Sequence, residues 1–101
     1  MKLSEKQSLF ASMVGKLLRF VDVLPGYRVT LGDAYAKSGH RKNSLHYSRL
    51  AIDLNLFING QYKTDTGSYL PLGLFWEDLG GAWGGRFKDG NHFSLAHQGR
   101  K

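Results

Sequence analysis

Ala51-Ile52-Asp53-Leu54-Asn55-Leu56-Phe57 decides the fold of this chain. Ile52, Leu54 and Leu56 fall on one side of an extended segment, and Ala51, Asp53, Asn55 and Phe57 on the other. That two-residue period predicts a strand with an apolar underside and polar groups above. Asn59-Gly60 follows and is a hairpin-turn signal, with Gln61-Tyr62-Lys63 as the returning strand. Asp53 stands between Ile52 and Leu54, in a run that otherwise favours burial. An ionised carboxylate there is costly unless it is paired or bound to a metal.

Upstream, residues 4–22 read as an amphipathic helix, with Phe10, Met13, Val14, Leu17, Leu18 and Val21 in one stripe. Ser4 and Gln7 have capping-box spacing, and Pro25 ends the helix. The stripe suits a protein core, with a membrane-surface helix as the alternative. Tyr27–Leu31 reads as a short strand, Asp33–Lys37 as a short helix, and Ser38–Ser44 as a polar loop. Downstream, residues 67–79 suit a helix with Pro71 in its first turn and Leu70, Leu74, Phe75 and Leu79 as its buried side. Gly80-Gly81 ends it, residues 83–87 form a glycine-rich loop, and His92–Leu95 makes a last short strand. The polar tail from His97 is expected to fray. These elements predict an α+β domain over residues 1–101, with a mostly antiparallel sheet and helices packed on one face.

The 101 residues fit one domain. Cysteine is absent, which excludes disulfides, a thiol nucleophile and Cys-based zinc fingers. The net charge of +6 favours polyanionic partners, such as nucleic acid, an anionic membrane surface or an acidic wall polymer, or serves solubility alone. Lys16 and Arg19 interrupt the apolar stretch from Leu9 to Leu24, so no membrane insertion is expected. Glu5 lies where a signal peptide would be basic, so the expected location is the cytoplasm.

Two segments could carry chemistry. Ser44–Asp53 places His46 on a loop and Asp53 in the following strand. Asp89-Gly90-Asn91-His92-Phe93 places a second histidine three residues after an acid. Two histidines and a carboxylate are a familiar catalytic zinc set. Structural or exposed histidines are the alternative. Trp76 reads as core, and Trp83, among glycines, as the cleft aromatic that would stack on substrate. Arg41 and Lys42 can bind an acidic substrate or remain a solvated loop charge, and Glu77 reads as a helix-surface residue.

Ser44-Leu45-His46-Tyr47-Ser48-Arg49-Leu50-Ala51-Ile52-Asp53 resembles the Ser-x-His-x-x-Gly-x-Ala-x-Asp signature of the D-Ala-D-Ala peptidases, the zinc peptidases of the M15 type. Asp89-Gly90-Asn91-His92-Phe93 is similar to that family's second metal-binding element, and Pro25-Gly26-Tyr27-Arg28-Val29 to the segment that supplies an arginine near the substrate. The resemblance implies a Hedgehog/DD-peptidase-like fold and a zinc ion (Zn2+) held by His46, Asp53 and His92. It also implies Asp89 as general base, Arg28 as the group polarising the scissile carbonyl, and Ser44 as a substrate-binding or supporting residue. Arg41 and Trp83 are further candidates for substrate contact. The family's glycine falls at Arg49 here, which bears on the loop between the first two ligands. The small size and the glycine-rich ending look most like the phage endolysin branch, which cleaves peptidoglycan stem peptides between L-alanine and D-glutamate. A D-Ala-D-Ala or L,D-carboxypeptidase is the close variant. The implied protein is a monomer that stays in the cytoplasm until a separate lysis protein releases it to the wall, and nucleic acid is not an expected partner. Two rivals are an inactive zinc domain and a basic nucleic-acid-binding module, although no helix-turn-helix or RNP signature is visible.

Overall fold

The computed structural model describes residues 1–33 and 48–97. All but the first residue of the expected helix at 33–37, the loop at 38–44, and most of the tail lie outside the described residues. Helix α1 runs from Leu3 to Asp22 and is followed by β1 (Tyr27–Leu31). The decisive stretch forms β2 (Ala51–Ile58), and β3 (Gln61–Lys63) returns from it. A 3-10 turn (Thr66–Tyr69) leads into α2 (Leu70–Asp78). Then come β4 (Ala82–Trp83), a second 3-10 turn (Gly84–Phe87) and β5 (His92–Ser94). This is the α+β arrangement read from the sequence.

Strand β2 is the spine of the sheet. One of its edges pairs antiparallel with β1, from Tyr27 opposite Ile58 to Leu31 opposite Leu54. Along its other edge, β5 covers the first half, with Asp53 opposite His92, and β3 covers the last, with Phe57 opposite Tyr62. Strand β4 extends the sheet beyond β5. Asn59 and Gly60 both take positive φ, 52° and 81°, the geometry of a two-residue hairpin turn that matches strand twist.

Tyr69 fills the gap between β5 and β3. Its buried hydroxyl accepts from the Leu56 N–H at 3.1 Å and lies 3.1 Å from the Leu54 carbonyl and 3.2 Å from that of Lys63, to which it can donate. The groups of β2 that no strand reaches are thus satisfied by a side chain. Burial raises the pKa of this phenol, which keeps it a neutral donor.

The alternation read for β2 holds from Ile52 to Phe57, whereas Ala51, read on the polar side, is also buried. Ile52, Leu54 and Leu56 are buried, and they join Phe10, Met13, Leu17 and Val21 of α1, Leu72 and Trp76 of α2, and Phe93 of β5 in one core. Trp76 stands at its centre, edge-on to Phe10 at 5.7 Å and to Phe93 at 5.9 Å, with its indole N–H donating to the Ser94 carbonyl. The α1 stripe is therefore used inside the domain and not at a membrane surface. Among the described residues, no helix is long and apolar enough to cross a membrane.

Two local readings need correction. The cap of α1 lies earlier than Ser4: the Glu5 carboxylate accepts from the Lys2 N–H at 2.9 Å. Gln7 instead donates to the Ser48 carbonyl, tying α1 to the segment entering β2. In α2 the buried side is Leu72, Gly73 and Trp76, while Leu70 and Leu74 are 44% and 49% exposed. The single large indole of Trp76 and the closely approached Gly73 set the rotation of this helix. In addition, its first turn is 3-10, opened by Asp65, whose carboxylate accepts from the Ser68 N–H and hydroxyl.

Candidate active site

The face of β2 opposite the core carries the candidate chemistry. Asp53 and His92 are register partners, so their side chains leave the same side of the sheet. Asp53 Oδ1 and His92 Nδ1 lie 3.2 Å apart, and the two side chains are 22% and 17% exposed. The main chain around them is pinned. The Asp53 N–H donates to the Asp33 carbonyl at 2.7 Å, and its carbonyl accepts from the Gly32 N–H at 2.8 Å. The Leu54 N–H donates to the Asn91 carbonyl, which fixes the residue before His92 against β2.

The turn that delivers His92 is built by the glycine-rich segment. The Asp89 N–H donates to the Gly84 carbonyl, and the His92 N–H donates to the Asp89 carbonyl. A Cβ on Gly84 would collide with the Asp89 carbonyl and crowd the His92 side chain, so the two segments can approach this closely only with glycine there. The Trp83 indole N–H donates to the Gly90 carbonyl at 2.8 Å inside the turn.

Trp83 thus differs from its expected role as a cleft aromatic. It is 4% exposed, and added Cβ atoms on Gly73 or Gly85 would strike its ring. The flanking glycines admit the indole into the packed interior, where it braces the Asp89–His92 turn. Glu77 is a helix-surface residue as read. It accepts from Arg86 at 2.8 and 2.7 Å in a two-point ion pair, which lowers the Glu77 pKa.

Asp53 and His92 are brought together, and the other candidates are not all beside them. His46, Ser44 and Arg41 lie outside the described residues. Asp89 is exposed at the head of the turn. Among the described residues no three His, Asp or Glu side chains form a metal-holding group, and Asp89 lies in the turn that delivers His92. Arg28 shares the face but is opposite Phe57, four positions along β2 and about 13 Å from Asp53 at strand rise.

The pair itself fits a zinc ion. A carboxylate oxygen and an imidazole nitrogen are zinc donors, and two donors on one tetrahedral ion at ordinary bond lengths stand about 3.3–3.4 Å apart. Here the two donor atoms stand at hydrogen-bond distance, 3.2 Å, close enough to share one ion, and partial exposure leaves an approach for further ligands. Arg49 adds a related observation. It takes φ 57°, the left-handed region, at the position where the motif carries glycine. The backbone turn survives there without the glycine, in a conformation that costs an L-residue about 1–2 kcal/mol.

These features describe an α+β domain whose central strand and last strand present an acid and a histidine on one accessible face. The family model for D-alanyl-D-alanine carboxypeptidases of peptidase M15 matches residues 38–95, more than half of the chain, and the chain belongs to that family. The matched region contains His46, Asp53, Asp89 and His92. The family is a peptidase family and is generally zinc-dependent. A comparison with curated proteins finds no match.

Proposed function

We propose that this chain is a zinc-dependent peptidase that hydrolyses peptidoglycan stem peptides. Asp53 and His92, joined by His46, would hold the metal. The observation that carries the reading is the 3.2 Å approach of Asp53 Oδ1 to His92 Nδ1 on the accessible face, inside the segment matched to the family. When bound, zinc supplies Lewis acidity, polarising a carbonyl oxygen and making water more acidic.

The chain's own residues supply the rest. Asp89 takes a proton from the attacking water, the water oxygen bonds to the scissile carbonyl carbon, the C–N bond breaks, and the proton passes to the leaving amine. Arg28, exposed on the same face, binds oxygen atoms of the peptide, because a guanidinium offers parallel donors and a permanent charge. Ser44 and Arg41 are assigned to substrate contact on the resemblance alone. The L-Ala–D-Glu bond, an endolysin role and release to the wall by a separate lysis protein rest on the resemblance alone.

Mass spectrometry of fragments released from purified peptidoglycan tests the reading and identifies the bond cut. Asp89→Asn should keep its fold and metal while cleavage falls about 100-fold to 10,000-fold. Near-normal cleavage by that variant would remove Asp89 from the mechanism.

A further inference from the structure

The same sheet face continues well past the Asp53–His92 pair. Register places Thr30 opposite Asn55, and Arg28, Phe57 and Tyr62 in one row across three strands. Asn55 Nδ2 donates to Thr30 Oγ1 at 3.3 Å, forming a polar floor between the two ends. At the far end the Phe57 and Tyr62 rings lie 5.3 Å apart, tilted by 40°. Tyr62 is 55% exposed and Phe57 is only partly covered, although both face away from the core that would otherwise hide them. An exposed tyrosine ring backed by a partly exposed phenylalanine, beside an exposed guanidinium and in line with a candidate catalytic pair, has the make-up of a binding subsite.

We propose that Arg28, Phe57 and Tyr62 form a distal subsite for an acidic stretch of the substrate peptide, with a carboxylate on Arg28 and the adjoining chain against the two rings. The assignment rests on the peptidase reading above. Distance sets the register. The row lies about 13 Å from Asp53, and an extended peptide advances about 3.3–3.6 Å per residue, so the subsite meets the substrate about four residues from the scissile bond. Charge supports the choice of occupant: the chain carries +6, and an anionic peptide is drawn to a guanidinium on an open face.

The test uses the zinc-loaded protein and capped, amidated peptides built around one L-Ala–D-Glu bond, extended with glycine by one to six residues on either side. A single D-Glu is placed at the end of each extension. For one direction of extension, kcat/KM should rise about tenfold when the carboxylate reaches the fourth residue, and D-Gln in its place should remove the rise. Tyr62→Ala should abolish the rise through KM, leaving kcat and the shortest peptide unaffected. The Tyr62 ring signals should shift in NMR titrations with the long acidic peptide and not with the short one.

Hydrolysis without a length step, or a Tyr62→Ala defect equal for short and long peptides, would overturn the subsite while leaving the peptidase reading intact. So would competition by the peptide-free N-acetylglucosamine–N-acetylmuramic acid disaccharide that Tyr62→Ala weakens, since the row would then be a sugar platform. Failure to cleave any peptide, or peptidoglycan itself, would overturn both readings together.

Discussion

The two faces of β2 come from one eight-residue stretch and have opposite tasks. Its even positions, Ile52, Leu54 and Leu56, are buried against both helices. Its odd positions carry Asp53 beside His92, Asn55 beside Thr30, and Phe57 beside Tyr62. Alternation lets one strand anchor the core and display a site without either disturbing the other, because successive side chains point to opposite sides. The difference teaches where each kind of substitution should register: in stability on the even face, in chemistry and recognition on the odd face.

The largest expected effect on stability is on the even face. Leu54→Ala removes a fully buried side chain and should cost about 2–5 kcal/mol in denaturant unfolding. Asn55→Ala, one residue on, should stay within about 0.5 kcal/mol. Comparable losses from both would break the division between the faces.

A smaller effect, of opposite sign, is expected just before β2. Arg49 holds φ 57° where glycine would relieve the steric cost, and Arg49→Gly should raise stability by about 1 kcal/mol after the extra chain entropy of glycine is counted. The rise should appear as a higher midpoint with an unchanged denaturant slope. A lower midpoint would mean that the guanidinium's own interactions outweigh the backbone strain.

The smallest effect lies away from both faces, at the exposed carboxylates. Hydrogen bonds from Ser68 lower the pKa of Asp65, and the Arg86 hydrogen bond lowers that of Glu77. A depressed folded-state pKa adds stability above the unfolded pKa, and that addition is lost as pH falls through the folded value. Stability should therefore drop slightly on acidification below the ordinary carboxylate range. Salt should weaken the Glu77 contribution, since that pair is exposed. Glu77→Gln should flatten part of the acid slope, and an unchanged slope would show the ion pair to be energetically silent.

Much of this was legible in the sequence for a physical reason. Strand β2, its hairpin and α1 announce themselves because their apolar spacing is dictated by a single buried side. Helix α2 is less legible. Four leucines and aromatics surround it, and its rotation is decided by Trp76 and by the Trp83 ring against Gly73, contacts made across the fold. The burial of Trp83 is hidden for the same reason: glycines beside a tryptophan suggest an open loop, whereas Gly73 and Gly85 make room to bury the ring. The Asp53–His92 pairing follows from register, which neither segment encodes alone. Tyr69 gave no signal as a partner for β2, because the gap it fills exists only once β3 and β5 are in place.

Metal content tests the central claim most directly. Protein purified without chelators should contain about one zinc per chain, bound by His46, Asp53 and His92. Elemental analysis of Asp53→Ala and His92→Ala, each shown to be folded by circular dichroism, should find that zinc largely lost. Folded variants that keep a full equivalent of zinc would contradict the account and place the metal elsewhere.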